Sequence, residues 1–190
     1  MNKFLIALSL SACLAGLGCG KKSADEILTE KLLEKSLEKD GGTAKVDLSG
    51  GKMSFTTTDE NGKKSTLSFS DEGMTIQDND GKSTFATGTA AKIPDTFPKD
   101  VFVYTGCEIL SAMTLPEGFT LLLKSNDPIN KIASEYKSVM TSKGWKEEST
   151  LTMEDQSILV YKKDRRTVSL VVNADEESSQ IALTVASEAK

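Results

Sequence analysis

The sequence predicts an α+β protein: an N-terminal helix and β-meander followed by an antiparallel-sheet domain (ββαββββ) with one packed helix. Three observations carry that prediction. Turn signals recur about every ten residues between 43 and 91, with short alternating segments between them. One stretch, 127–144, repeats apolar residues at spacings of three and four, the period of a helix face. Two alternating segments precede that helix and four follow it, on connections too short for parallel crossovers.

Composition bounds the function. The chain has 190 residues, a net charge of −5, three Cys, one Trp and no His. Its 38% hydrophobic and 27% charged residues fit a folded domain, not a disordered chain or a multi-span membrane protein. The length allows one or two small domains. Arg occurs only at 165 and 166 in an acidic chain, so no nucleic-acid partner is expected. The lack of His excludes His-based triads and His-ligated metals. No Gly-rich phosphate loop, Cys-x-x-Cys or Walker-type Lys occurs, so neither cofactor nor metal is expected.

Residues 1–18 read as a signal peptide. Lys3 supplies a basic start, and Phe4 to Leu17 runs apolar or small without charge. That run is shorter than the roughly 20 residues of a membrane-spanning helix and suits the h-region of a secretory signal. Gly18-Cys19-Gly20-Lys21-Lys22-Ser23 then turns polar. A small residue before a Cys at this place resembles the lipobox of bacterial lipoproteins. The resemblance implies acyl chains, palmitate among them, on Cys19 as the mature N-terminus. Leu10-Ser11-Ala12-Cys13 matches the lipobox letter by letter better than Gly16-Leu17-Gly18-Cys19. Position favours Cys19, because a cut at Cys13 would leave Leu14 to Leu17 as an apolar start to the mature chain. An ordinary cleaved signal with incidental Cys is the plainer alternative. One acyl chain holds a protein marginally, whereas two or three anchor it firmly. Lys21 and Lys22 would lie at the anionic head groups, each adding about 1 kcal/mol. In such lipoproteins an Asp after the Cys retains the protein at the inner membrane. Gly20 stands there, which implies the outer membrane and a periplasmic or surface-facing protein.

With Cys13 removed and Cys19 acylated, Cys107 has no partner for a disulfide. A buried thiol acting as a small apolar residue is expected, since no His can activate it.

Residues 19–42 hold the lipidated Cys and a tether helix. Ser23 with Glu26 makes a capping box, Asp25 adds charge to the first turn, and Gly41-Gly42 ends the helix. Ile27, Leu28, Leu32, Leu33 and Leu37 do not form one stripe. A partly docked tether is expected; a helix on a partner or on the membrane is the sharper reading, against which the mixed charges argue.

Residues 43–91 read as the β-meander, turning at Gly50-Gly51, Asn61-Gly62, Asp71-Glu72-Gly73 and Asp80-Gly81. Met53, Phe55 and Thr57 share a face, as do Leu67 with Phe69 and Met74 with Ile76, and Phe85 continues the pattern. A sheet apolar on one side must be covered, by the tether helix or the next domain. The acidic turns lack the alternating ligands and terminal Glu of an EF-hand and read as hairpins.

Residues 92–190 read as the C-terminal domain. Strands are expected at 108–114 and 118–124, then a helix with Asp127 as N-cap and Pro128 at its first position. Its core face is Ile129, Ile132, Ala133, Tyr136, Val139 and Met140, and Gly144 caps its end. Strands at 145–153, 157–163, 166–173 and 179–186 complete it. Phe97-Pro98-Lys99-Asp100-Val101, Tyr104 with Gly106, Asp127-Pro128, Tyr136-Lys137 and Lys143-Gly144-Trp145 resemble a domain of uncharacterised bacterial lipoproteins over 92–173. Phe102, Thr105 and Cys107 depart from its pattern, which has Pro, Pro and Ala. The resemblance implies fold and envelope location and carries no chemistry.

Candidate sites are few. Lys162, Lys163, Arg165 and Arg166 form the basic cluster, a contact for an anionic partner or a hairpin with internal charge pairing. Trp145 and Tyr104 could make a binding patch or pack in the core. The acids Glu147-Glu148, Glu154-Asp155 and Asp175-Glu176-Glu177 sit at strand starts and turns, where solvated carboxylates are the rule. The expectation is a lipid-anchored cell-envelope protein that binds or scaffolds an envelope protein or glycan and is not an enzyme. The alternative is a polysaccharide-acting enzyme using carboxylates.

Overall fold

The computed structural model describes residues 24–37, 43–59, 61–78 and 80–188. Helix α1 is Ala24–Leu37. The meander comprises β1 (Thr43–Asp47), β2 (Met53–Thr58), β3 (Lys64–Ser70), β4 (Gly73–Asp78) and β5 (Thr84–Thr87). Then come β6 (Glu108–Leu115), β7 (Gly118–Ser125), α2 (Ile129–Ser142), β8 (Lys146–Thr152), β9 (Gln156–Lys163), β10 (Arg166–Asp175) and β11 (Ser178–Ser187). The protein is α+β, as expected. The capping box at Ser23 and the stop at Gly41-Gly42 lie outside the described residues.

All eleven strands form one sheet, in the order β1-β2-β3-β4-β5-β6-β7-β11-β10-β9-β8. Every neighbouring pair is antiparallel. β5 pairs with β6, so the meander and the C-terminal strands share a single ladder. α2 carries the chain from β7 to the far edge at β8, and β11 returns to lie beside β7. That return is tight, for a Cβ on Gly118 would collide with the Val185 carbonyl across the β7–β11 pair.

The core lies on one face of the C-terminal strands. Ile132, Tyr136 and Met140 of α2 are fully buried, and α2 packs on β8, β9 and β10. Facing it, the cross-strand row Leu159–Leu170–Leu183–Leu121 is fully buried. Phe97, Val101 and Tyr104 from the lead-in complete the cluster, and Phe97 meets Phe119 edge-to-face at 5.4 Å. Asp127 is not the N-cap. The helix starts from Pro128, whose carbonyl accepts from Lys131 N and Ile132 N. The Asp127 carboxylate is drawn away to the Tyr104 hydroxyl at 2.8 Å and to Lys131 Nζ at 2.8 Å.

The opposite face departs from expectation. Directly paired residues share a face, and pairing runs Val46–Phe55–Leu67–Ile76–Phe85–Met113 across six strands. α1 packs on β1 alone among the strands with which it makes extended contact, and only Ala44 and Val46 are buried there. Met53, Phe69 and Ile76 stay 41% exposed. The expected cover over the meander reaches one strand.

The reason is the way α1 docks. Its Glu34 Oε1 accepts from Val46 N at 3.0 Å and its Glu30 Oε1 accepts from Leu48 N at 2.8 Å. Four residues apart, the two carboxylates lie on one helix face. They serve the amide of Val46 in edge strand β1 and that of Leu48 just past its end, in the role of a missing strand's carbonyls. This side of the helix is acidic, which is why no apolar stripe could be read.

Candidate functional site

Three places concentrate chemistry. The first is the β9–β10 hairpin, which holds the basic cluster. Asp100, from the lead-in, reaches its base. Arg166 donates through both guanidinium ends to the Asp100 carboxylate, at 2.8 and 2.7 Å, and Lys163 Nζ donates at 3.0 Å. The guanidinium lies 5.0 Å from the centroid of the Trp145 ring, whose Nε1 donates to the Asp100 carbonyl at 2.9 Å. Lys163 Nζ also donates to the Lys143 carbonyl at 2.8 Å, just past α2. The Arg166 bonds, then Lys163, hold the Asp100 carboxyl well below the usual carboxylate range. The same bonds push the Arg166 guanidinium up. Lys163 and Arg166 are thus turned toward Asp100, whereas Lys162 and Arg165 are exposed. Lys162 approaches Glu148 at 3.9 Å, and Arg165 Nη2 approaches the Glu188 carbonyl at 3.4 Å. Asp100 was not singled out from the sequence. The only signal was its place in the Phe97–Val101 motif.

The second is the aromatic cluster under α2. Tyr104 and Trp145 are buried core residues, not a surface patch. The Tyr136 hydroxyl accepts from Tyr104 N at 3.3 Å, and the two rings stack at 6.2 Å. Burial raises both phenols, and it pushes Tyr161 up to about 12. Cys107 is half-buried and not fully buried as expected. Its Sγ lies 2.8 Å from the Tyr104 carbonyl, and partial burial raises its pKa, the opposite of an activated thiolate.

The third is an open polar depression of about 380 Å³ at the start of α2. Asn126, Asn130, Glu154, Glu176 and Glu177 line it. The fold therefore brings Glu154 and the acidic run beside Asp175 together, although about twenty residues separate them in sequence. Glu147 and Glu148 lie elsewhere, on β8, where Glu147 accepts from the Thr150 hydroxyl at 2.7 Å. Cys19 and Cys13 lie outside the described residues.

Residues 109–180 match the model of the START domain-like family. The match runs from β6 into β11, takes in α2 and the buried face, and covers less than half of the chain. The START-like stretch stops short of the meander and of α1. Neither curated proteins nor solved structures provide a match. Beside that stretch lies the apolar sheet face opposite the core, exposed at Met53, Phe69 and Ile76 and half-buried along the rest of its row. Leu122, Ala182, Val171, Ile158 and Leu151 continue it across the C-terminal strands, the last 52% exposed. Along β2 to β5, Asp78 at the end of β4 is the one charged residue among those whose pairing puts them on this face.

Proposed function

We propose that this chain is a binding module of the cell envelope, anchored by acyl chains on Cys19, that receives an envelope protein on its open sheet face. The observation that carries this reading is the row Phe55–Leu67–Ile76–Phe85–Met113, apolar and uncharged, with Ile76 41% exposed and the other four half-buried. Contiguous apolar surface left open to water marks interaction sites in folded proteins. The START-like likeness supports a binding rather than a catalytic role. The ββαββββ run of 92–190 is the rigid platform, and its buried core holds the shared sheet in shape. Gly20 after the Cys supports an outer-membrane address.

Photo-crosslinking in intact membranes tests the reading. Crosslinkers at Phe69 and Ile76 should trap a protein, whereas crosslinkers at Thr66 and Gln77, which pair on the opposite face, should not. Equal yields from the two faces, or none, would overturn it.

A second reading is favoured by the depression at α2, where Glu154 and Glu176 share one wall set. Two carboxylates at one site are the equipment of glycan hydrolysis. Turnover of an envelope polysaccharide that disappears in Glu154→Gln would establish that reading in place of the first.

A further inference from the structure

We propose that the outward side of α1 lies on an anionic bilayer surface, as an in-plane helix beside the lipid anchor. The proposal rests on the reading of Cys19 as acylated. The side of α1 turned to the sheet carries Glu30 and Glu34, held by the amides of β1. The other side carries Leu28 and Leu32, 59% and 63% exposed, with Lys31 and Lys35 exposed between and beside them. Ile27, 41% exposed, lies at one border and exposed Asp25 at the other. At about 100° per residue, Ile27, Lys31, Lys35, Leu28 and Leu32 fall within an arc of about 140°. The charges of α1 are therefore partly sorted in the fold: Glu30 and Glu34 turn inward with half-buried Leu33, and Lys31 and Lys35 lie outward with Leu28 and Leu32.

This is the arrangement an anionic interface favours. Leucines enter the acyl boundary, while lysine stems lie along apolar surface and their ammonium groups reach the phosphates. The 14 residues of α1 make a rod of about 21 Å, too short to cross the roughly 30 Å hydrocarbon core. It can lie on the membrane but not span it. Fully extended, the chain from Cys19 to Ala24 reaches at most about 18 Å. An anchored Cys19 thus keeps the first turn of α1 within that distance of the membrane.

The test uses the mature membrane protein in a Cys107→Ser background, reconstituted in vesicles of phosphatidylcholine with or without phosphatidylglycerol. An environment-sensitive dye is placed on Leu28→Cys or, as a control, on Lys64→Cys in β3, and brominated acyl chains serve as quencher. Quenching should be several-fold stronger at 28 than at 64 and stronger with phosphatidylglycerol. Lys31→Glu with Lys35→Glu should abolish the dependence on lipid charge. A dye at 28 that is dry but unquenched would mean that a second copy or a partner protein covers this side, and would overturn the proposal. So would a dye as wet as that at 64. Mass spectrometry of the same sample reads acylation separately. If Cys19 carries no acyl group, the anchor reading falls alone. The same quenching with vesicles added to the purified protein then decides whether the helix binds lipid.

Discussion

Asp100 gathers more polar contacts than any residue of the basic hairpin. Its side chain is 31% exposed, and those of Arg166 and Lys163 are 25% and 28% exposed. In the folded protein its carboxyl ionises more readily than the ordinary value of about 3.9. Between the folded and unfolded values the unfolded chain binds more protons, so stability rises with pH through that window. The contribution is complete above about pH 5 and is lost as pH falls below about 4. Asp100→Asn should cost about 1–3 kcal/mol at neutral pH and flatten the acid limb of the unfolding curve. An acid limb as steep as that of the parent would disprove the assignment. Cys107 follows a different sign. Burial raises its thiol, so alkylation at neutral pH should be slower in the native than in the unfolded protein. It should quicken only as pH climbs past the ordinary thiol range of about 8.5. These residues illustrate what sequence cannot supply. The hairpin pattern placed the cations, but the carboxylate that claims two of them lies more than sixty positions away. Asp127 shows the same limit, since a distant hydroxyl outcompetes the local cap.

At the scale of elements, both helices were legible, but only α2 showed the face by which it docks. The face of α2 is apolar because it meets an apolar sheet, and that period survives in the sequence. Ile132, fully buried in it, should cost about 2–5 kcal/mol when replaced by Ala. Chemical denaturation of that variant measures the cost, and one under about 0.5 kcal/mol would place the residue at the surface. The docking side of α1 is a carboxylate pair that hydrogen-bonds backbone, and no apolar period marks such a contact. Replacing Glu30 and Glu34 together by Ala should leave the amides of Val46 and Leu48 without their partners. Hydrogen exchange at these two amides should then accelerate, with that of Leu170 in β10 unchanged. Unaltered exchange at Val46 would show that the carboxylates do not hold the edge.

At the scale of the molecule, the fold class and the meander were readable because their periods are local. The union of eleven strands in one ladder was not, since it depends on β5 meeting β6 across the long lead-in. The buried cluster lies wholly within 97–185. A fragment of residues 92–190 should therefore unfold in one cooperative step, seen by calorimetry. Removing the meander bares the β6 edge, so the fragment should also self-associate more than the parent. A fragment that melts without a cooperative transition would place part of the folding core in the meander.

Such baring points to what the intact ladder avoids. Both of its ends are closed to growth. β1 is occupied by α1, and β8 carries Lys146, Glu147 and Glu148 with a bulge before Ser149. Were the chain anchored as proposed, its copies would be crowded in one plane, and an open strand at either end would let one sheet extend into the next as a tape without limit. With both ends closed, crowding cannot seed a filament. The flat side is then the route left for association by the sheet, and the proposed single partner would fill it.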